Sequence, residues 1–264
     1  MILCRADKVL LAGSAAVLGS ATLLATTPIA LGASAAAFLA LLADGVFRPS
    51  SSVFYPTVSH GARSRPEVAL TFDDGPHPEV TPAVLDSLAR FGARATFFVI
   101  GRHLEKHSAI AARAVLEGHE LGNHSWTHSH FQNFYPTSMY GEDLERGAQL
   151  IQQLCGSSAE PLYRSPIGLK SPALARVAHA RKSTVVAWSV HSRDTIARDA
   201  QATATRVLSR VRPGDIVLMH DGQERDGRRR TLAARALPII LHGLQERGLR
   251  SVTVSDLLRP SQTS

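Results

Sequence analysis

The apolar and polar positions of this chain follow two regimes that change near residue 48. Between residues 9 and 42 no charged side chain occurs, and Thr26-Thr27-Pro28 divides the stretch into two apolar runs. Beyond residue 65, short β-rich apolar runs alternate with segments typical of helices. Alternation of this kind predicts an α/β domain with parallel strands, preceded by an apolar N-terminal segment.

The apolar runs and the Pro, Gly, Ser and Thr residues beside them set the expected element boundaries. Strands are expected at residues 68–72, 95–100, 120–123, 184–190, 215–219 and 251–254. Helices are expected at 81–91, 108–117, 137–154, 171–180, 200–211 and 231–247. Thr81 is the expected N-cap of the first of these helices, because Pro82 follows it. In such an arrangement, functional residues gather at the carboxyl ends of the strands.

The first 47 residues are expected to be a membrane segment. A membrane helix needs about 20 apolar residues, with about 17 as a lower bound. Residues 9–25 just meet that bound, and the run 29–42 can be extended to Phe47 past Asp44. The break between the two runs permits a tight helical hairpin with both ends on one side of the membrane. A single span is the alternative.

A cleaved secretory signal is a further interpretation of the same segment. Arg5 and Lys8 would be its basic end, and Ala33-Ser34-Ala35 its cleavage site. Cleavage there would leave residues 36–42 exposed and very apolar. A retained anchor is therefore favoured.

The orientation of the anchor decides where the rest of the chain lies. A hairpin would place it on the same side as Arg5 and Lys8, which the positive-inside tendency makes cytoplasmic. A single span would place it outside the cytoplasm. Behind the anchor we expect a linker at 48–65, an α/β domain at 66–256 and a tail at 257–264.

Charge and cysteine content narrow the possible functions only slightly. The 264 residues carry a formal charge of +7, partly from the arginine-rich run 225–230. That run favours a solvated loop, with attraction to anionic headgroups or an anionic substrate as the alternative. It lacks interleaved aromatic residues, so nucleic-acid binding is not expected. Cys4 and Cys155 predict neither a structural disulfide nor a metal site.

Two adjacent carboxylates and a pair of histidines are the strongest chemical signal. Asp73 and Asp74 follow the apolar run 68–72, and His124 and His128 stand four residues apart further along the chain. One carboxylate and two imidazoles form a ligand set for a divalent metal, because catalytic zinc usually takes three protein ligands and keeps one position open. The second carboxylate remains as a base for a water molecule that the metal acidifies. The combination predicts hydrolysis of an unreactive carbonyl group.

The two carboxylates need a bend in the backbone to share one cleft. Successive side chains of an extended strand face opposite ways. Gly75-Pro76 is expected to supply the bend. His220 ends another buried apolar run and adds a third histidine at a strand end, with a strand cap as the alternative interpretation.

Five motifs in this order resemble those of the polysaccharide deacetylases, carbohydrate esterase family 4, which share the nodulation-type chitooligosaccharide deacetylase domain. They are TFDDGP at 71–76, HSWTH at 124–128, RSPIG at 164–168, WSVHSRD at 188–194 and LMHD at 218–221. The resemblance covers roughly residues 66–256. It implies a distorted (β/α) barrel, a divalent metal that is commonly zinc, and removal of N-acetyl groups from amino sugars.

By motif position, the resemblance implies a metal site and a base. Asp74, His124 and His128 match the metal ligands. Asp73 matches the catalytic base, and Arg164 matches the arginine that holds the base carboxylate.

The same resemblance implies an acid and a substrate groove. His220 matches the general acid that protonates the leaving amine, and Asp194 matches the carboxylate that tunes this histidine. The matching groove positions are Ile167, Trp188 and Leu218.

This chain departs from the family pattern at the groove. Ile167 and Thr195 stand where the family usually has aromatic residues, and His191 stands where it usually has Asp. A main-chain N–H near Ile167 can still serve an oxyanion hole, because a backbone donor does not depend on the side chain. The reaction type is therefore better defined than the substrate.

The sequence as a whole predicts a membrane-associated, metal-dependent enzyme that deacetylates an N-acetylated amino-sugar glycan. Zinc is the expected cofactor. The alternatives are a deacylase of a lipid-linked sugar, an O-acetyl esterase, and an inactive carbohydrate-binding module. The catalytic domain is expected outside the cytoplasm, because most targets implied by the family are cell-envelope glycans. A hairpin would place it on the cytoplasmic side.

Overall fold

The computed structural model describes residues 3–23, 28–156, 161–222 and 232–260. Within these ranges, two long N-terminal helices precede a curled parallel sheet with helices packed against it. The arginine-rich run 225–230 and the expected helix start at Thr231 lie outside the described residues, as do Thr26 and Thr27 of the expected break.

The strands are short, and every pairing between them is parallel in the described part of the chain. They are β1 (Thr57–Val58), β2 (Glu67–Asp73), β3 (Ala95–Val99), β4 (Glu120–Asn123), β5 (Leu162–Tyr163), β6 (Thr184–Val186), β7 (Val190–His191), β8 (Ile216–His220) and β9 (Arg250–Ser251). Their order across the sheet is β1-β6-β5-β4-β3-β2-β8-β7, with β9 beside β2.

Helices connect most of these strands. They are α1 (Arg5–Leu23), α2 (Pro28–Phe47), α3 (Val80–Arg90), α4 (Gly101–Lys106), α5 (Ser108–Leu116), α6 (Thr137–Cys155), α7 (Pro172–Arg181), α8 (Ala200–Leu208), α9 (Leu232–Glu246) and α10 (Val254–Leu258). Single 3₁₀ turns occur at Gln132–Phe134 and Pro166–Gly168.

One continuous segment brings the two edges of the sheet together. β6 pairs with β1 and β5, while β7, which follows almost directly, pairs with β8. The sheet must therefore curl back on itself. The predicted distorted α/β barrel is confirmed.

Alternate side chains of the strands point to opposite faces of the sheet, so their apolar residues form two cores. The outer core lies between the sheet and the helices, and the inner core lies inside the curled sheet. In β2, Leu70 and Phe72 pack between the sheet and the helices, whereas Ala69 packs inside the curled sheet. Thr71 and Asp73 share the inward face with Ala69, because side chains two apart lie on the same side of a strand. The carboxylate that ends β2 is therefore inside the barrel, at its carboxyl edge.

Several boundaries differ from the sequence expectation. Thr81 is not an N-cap, because α3 already begins at Val80; its hydroxyl instead accepts from the His77 N–H and donates to Asp221. The short helices α4 and α10 were not expected. The domain boundaries stay a prediction, although the expected linker 48–65 contributes strand β1 to the sheet.

The N-terminal segment forms two helices. Among the described residues, the stretch Ile29–Phe47 is the one helix long and apolar enough to cross a membrane. Its length depends on the extension past Asp44 to Phe47. Helix α1 begins with Arg5, Asp7 and Lys8, and the expected run 9–25 ends among residues outside the described ranges.

Helix α9 supplies the test of the outer core. Leu237 is fully buried there, so Leu237→Ala should lower the free energy of unfolding by about 2–5 kcal/mol through lost burial and a residual cavity. Leu116→Ala removes the same atoms from a side chain that is 87% exposed. It should change the free energy of unfolding by less than about 0.5 kcal/mol. Urea unfolding followed by circular dichroism measures both. Equal losses would contradict the assigned core.

Candidate metal centre and active site

The backbone at Asp74 turns two adjacent carboxylates into one cleft. Asp73 ends β2, and Asp74 has a left-handed φ of 75°. The bend therefore begins at Asp74 itself, directly before the expected Gly75-Pro76, whose peptide bond is cis. The His103 Nδ1 lies 2.8 Å from the main-chain oxygen of Asp74, and a Cβ on Gly222 would lie 2.2 Å from that same oxygen. Close packing on two sides holds this strained residue.

The two predicted histidine ligands come from the turn after β4. His124 follows the strand, and the turn that carries His128 has left-handed φ angles of 67° at Ser125 and 53° at His128. The His128 N–H donates to the Ser125 hydroxyl at 2.8 Å. The His124 Nδ1 lies 2.8 Å from the Arg164 carbonyl, which assigns the proton to Nδ1 and leaves Nε2 free to bind.

Three candidate ligand atoms converge. Asp74, His124 and His128 each offer one atom within 4.8 Å of the others. The Asp74 Oδ1 lies 3.2 Å from His128 Nε2 and 3.6 Å from His124 Nε2. This buried oxygen has no hydrogen-bond partner among the described residues. An orphaned carboxylate oxygen facing two imidazoles fits a divalent cation.

The protonation of these groups also suits a cation. Burial lowers the pKa of both histidines, to about 3 for His128, and the neighbouring His124 adds to the shift of His128. Both imidazoles are therefore neutral, the form that ligates metals. Burial raises the pKa of Asp74 to about 7, and a bound cation would oppose that shift.

A fully buried arginine holds the second carboxylate. The Arg164 Nη1 donates to Asp73 Oδ1 at 2.7 Å, and the two side chains are 1% and 5% exposed. The remaining guanidinium nitrogens donate to the carbonyls of Val186 and Ala187. The other oxygen of Asp73 lies 3.6 Å from His124 Nε2 and so faces the candidate metal ligands.

His220 and Asp194 form a second buried pair. The His220 Nδ1 lies 2.9 Å from Asp194 Oδ1, and the His220 main-chain N–H donates to Asp194 Oδ2 at 2.8 Å. Burial alone would lower the pKa of His220, but the charge and hydrogen bond of Asp194, with help from Asp74 and Asp73, raise it to about 10. Burial works against ionisation of Asp194 too, and the same pairing outweighs it and lowers its pKa. This pairing therefore favours the cationic form of His220 at neutral pH.

The three predicted groove residues differ in their accessibility. Ile167 is 51% exposed and has a φ of 51°, so its side chain stands out from the 3₁₀ turn. Trp188 is half-buried and packs on Gly168, where a Cβ would lie 2.6 Å from the ring. Leu218 is only 3% exposed and lies two residues before His220 on the same face of β8, so it forms the floor of the cleft.

Asp143 was not identified from the sequence. Its carboxylate accepts from the Trp126 N–H at 2.8 Å, the Thr127 hydroxyl at 3.0 Å and the Gln132 amide at 2.9 Å. It thereby fixes the turn that presents His128. Nothing in the sequence distinguishes it from a surface acid of helix α6, because its partners belong to a different loop.

Asp221 and His191 also border the site. Asp221 accepts from the Thr81 hydroxyl at 2.6 Å, and burial raises its pKa to about 7. The His191 ring lies 6.1 Å from His220 and 5.9 Å from Trp188, centroid to centroid. The sequence signal for His191 was its departure from the family motif, and the structure places that departure beside the acid.

Comparison with known proteins gives consistent matches. A family model described as polysaccharide deacetylase matches residues 60–186. The chitooligosaccharide deacetylase of Azorhizobium caulinodans is 35% identical over 199 residues, covering 70% of this chain and 91% of the relative. The crystal structure of the Bc1960 peptidoglycan N-acetylglucosamine deacetylase has a TM-score of 0.71 and 30% identity, covering 79% of this chain and 95% of that one.

Two further solved structures bear on metal and activity. A family 4 acetyl xylan esterase from Clostridium thermocellum, in complex with a cobalt ion, has a TM-score of 0.65 and 34% identity, covering 72% and 89% of the two chains. A mutant of BA3943, described as a CE4 family pseudoenzyme with restored enzymatic activity, has a TM-score of 0.69 and 25% identity, covering 77% and 71%.

The ligand set can be tested by metal content. His128→Ala should abolish stoichiometric binding of a divalent ion, because it removes one of three converging donors. His130→Ala is the matched control, since its exposed ring lies 5.6 Å from that of His128 but is not part of the donor cluster. Elemental analysis after dialysis measures both. Parental metal content in the His128 variant would contradict the assignment.

Proposed function

The chain belongs to the polysaccharide deacetylase family, and from that premise we propose that it is a metal-dependent N-deacetylase of an acetylated amino-sugar glycan. Its relatives are named for chitooligosaccharides and for peptidoglycan N-acetylglucosamine, both of which carry N-acetyl groups on amino sugars. The proposal is carried by the convergence of three metal-donor atoms beside a carboxylate base and a cationic imidazole.

Asp74, His124 and His128 would hold the cation. We expect zinc, because two imidazoles and one carboxylate with an open position form a common catalytic zinc set. When bound, such a cation polarises the substrate carbonyl and acidifies a water molecule.

The protein groups then divide the proton transfers between them. The Asp73 carboxylate, oriented by Arg164, accepts a proton from the attacking water as the new C–O bond forms. The main-chain N–H of Ile167 is the expected donor to the oxyanion of the tetrahedral intermediate. His220 gives its proton to the amide nitrogen as the C–N bond breaks, so that the products are acetate and a free amine.

The raised pKa of His220 favours an amide over an ester as the substrate. An amine is a poor leaving group unless it is protonated, whereas an activated alcohol leaves without help. The Asp194 partner keeps the imidazole charged at neutral pH. An O-acetyl esterase remains the alternative within the same chemistry, since both reactions pass through a tetrahedral intermediate.

Two other candidates are kept from the sequence. A lipid-linked amino sugar is favoured by the apolar N-terminal helix Ile29–Phe47, which is long enough to enter a membrane. An inactive carbohydrate-binding module would reuse the groove without turnover, but the intact set of ligands, base and acid argues against it. Metal-dependent acetate release from N-acetylglucosamine oligomers and from a lipid-borne N-acetyl amino sugar tests activity directly, and its absence with both substrates under every metal would leave the inactive module.

Asp73→Asn separates the two carboxylates. It should keep the metal, because Asp73 is the proposed base, while turnover falls by about 10²–10⁴. Asp74→Asn should lose both metal and turnover. Acetate release and metal content measured on the same preparations check this, and equal metal loss in the two variants would refute the division of roles.

His220→Ala tests the acid. Cleavage of an N-acetylated amino sugar should fall far more than cleavage of an activated aryl acetate, because only the amine needs a proton to leave. Comparing kcat/KM for the two substrates gives the answer. Equal losses would assign His220 another role.

Asp194→Asn tests the origin of the raised pKa of His220. Removing the negative charge lowers that pKa from about 10, so the acid loses its proton at a lower pH. The alkaline limb of the pH–kcat/KM profile should move down by about 1–3 pH units. An unmoved limb would mean that another group controls activity at high pH.

A further inference from the structure

The start of helix α1 is fixed on the catalytic domain. The Asp7 carboxylate pairs with Arg176 of α7 at 2.8 Å. Cys4 and Ala6 are buried in one apolar cluster with Ala175. The N-terminal helix therefore does not lead away from the domain but begins against it.

The end of helix α2 is fixed on the same domain, next to the site. The Lys170 main-chain N–H donates to the Val46 carbonyl at 3.1 Å. The buried Lys170 ammonium donates to the carbonyls of Pro49, at 2.7 Å, and Ser51. Pro49 also packs on Gly168, which leaves no room there for a Cβ. The residues that follow α2 therefore form part of the wall behind the Pro166–Gly168 turn.

The two helices pack against each other as a hairpin. A Cβ on Gly13 would lie 2.0 Å from the Phe38 ring, so this ring packs directly against the backbone of α1 at the glycine. Helix α2 contains 20 residues, which corresponds to about 30 Å at 1.5 Å per residue and matches the roughly 30 Å hydrocarbon core of a bilayer. Helix α1 carries three charged residues in its first turn, so its apolar part, residues 9–23, extends only about 22 Å into the bilayer beside α2.

The surface of the hairpin has the chemistry of a lipid contact. Large apolar side chains stand exposed along both helices, namely Leu11, Leu18, Ile29, Leu39, Leu41 and Phe47. Exposed basic residues lie only at the base, where Arg5, Lys8 and Arg48 flank the apolar stretches. The apolar helices would therefore contact lipid acyl chains, and the basic residues at their domain-proximal ends would contact anionic headgroups.

The loops that carry the site residues also expose apolar side chains. Phe131 and Phe134 follow His128 and are 72% and 83% exposed. Ile167 and Ile196 follow Arg164 and Asp194 and are 51% and 64% exposed. The rim of the cleft is therefore apolar on loops after three different strands.

We propose that the hairpin inserts with both ends on one face of the bilayer and holds the cleft at that face, where the enzyme deacetylates an amino sugar carried by a lipid. The substrate part rests on the proposed function; the topology does not. Arg5, Lys8 and Arg48 then lie on the same side as the catalytic domain, which the positive-inside tendency makes cytoplasmic. The proposal therefore favours the hairpin over the single span. It places the catalytic domain on the cytoplasmic side, whereas the sequence analysis expected it outside the cytoplasm.

The topology is tested in the full-length protein, independently of activity. Green fluorescent protein and alkaline phosphatase, which work only inside and only outside the cytoplasm, are fused in turn ahead of Met1 and after Ser264. Both positions should report the cytoplasmic side, and the protein should stay in the membrane through a carbonate wash. Ends on opposite sides would overturn the proposal, as would a detergent-free soluble dimer whose partner copy covers the hairpin.

The substrate class is tested with two probes. One is hexadecyl N-acetylglucosaminide in vesicles of phosphatidylethanolamine and phosphatidylglycerol, and the other is the soluble N-acetylglucosamine tetramer with empty vesicles. Acetate release should give a kcat/KM about tenfold or more higher for the vesicle-borne probe, because both partners share one surface. Equal kcat/KM values for the two probes would overturn the proposal of a lipid-linked substrate but leave the proposed deacetylase activity intact. No release from either probe, with both reporters cytoplasmic, would overturn the deacetylase and leave the topology.

Variants that break the contacts between the hairpin and the catalytic domain test whether docking of the hairpin causes the preference for the vesicle-borne substrate. Lys170→Met removes the donor to the Pro49 and Ser51 carbonyls and should reduce the preference for the vesicle-borne probe to near unity, with kcat/KM for the soluble tetramer held within about threefold. Asp7→Arg should lower the preference in the same way, and the added change Arg176→Asp should restore it. A preference that survives in both Lys170→Met and Asp7→Arg would show that the docked base does not orient the cleft.

Discussion

The buried ion pair between Arg164 and Asp73 is the constraint on which the site depends. It joins the end of β5 to the end of β2 across the interior of the curled sheet. A guanidinium with 1% exposure is tolerable only when its charge and donors are met, and Asp73, the Thr71 hydroxyl and two main-chain carbonyls meet them. The Phe98 ring, 4.0 Å below the guanidinium, fixes its plane. The Asp73 carboxylate is thereby held in one orientation before any substrate arrives.

Around this pair, the loops at the carboxyl edge take up backbone conformations that non-glycine residues rarely adopt. Asp74, Ser125, His128 and Ile167 all have left-handed φ angles. Each such residue costs of order 1–3 kcal/mol, and packing and hydrogen bonds from outside the loops must sustain it. Asp143 supplies part of that support by accepting three hydrogen bonds from the histidine turn. The strain lies where side chains from separate strands must face one point.

The histidines of the site differ in their protonation state because their surroundings shift their pKa values in opposite directions. Burial and the neighbouring His124 keep His128 neutral, with its pKa lowered to about 3, whereas the Asp194 carboxylate raises the pKa of His220 to about 10. One wall of the cleft therefore carries neutral imidazoles and the other a cationic one, a separation that suits the proposed hydrolysis of an amide. The proposed hairpin would hold this site at the membrane surface, because Pro49, which follows α2, packs directly behind the Pro166–Gly168 turn.

The sequence by itself determined the alternation of strands and helices, the parallel sheet, and the position of Asp73, His124 and His220 at strand ends, because these follow from local apolar period and chain order. The motifs also predicted which residues act as the ligands, the base and the acid, and these roles stay predictions. Only the tertiary structure decided that Asp74 adopts a left-handed φ, that Asp143 supports the histidine turn, that β1 joins the sheet, and that both ends of the N-terminal hairpin rest on the domain. Each of these depends on contacts between segments remote in the sequence, whose distances no local pattern encodes.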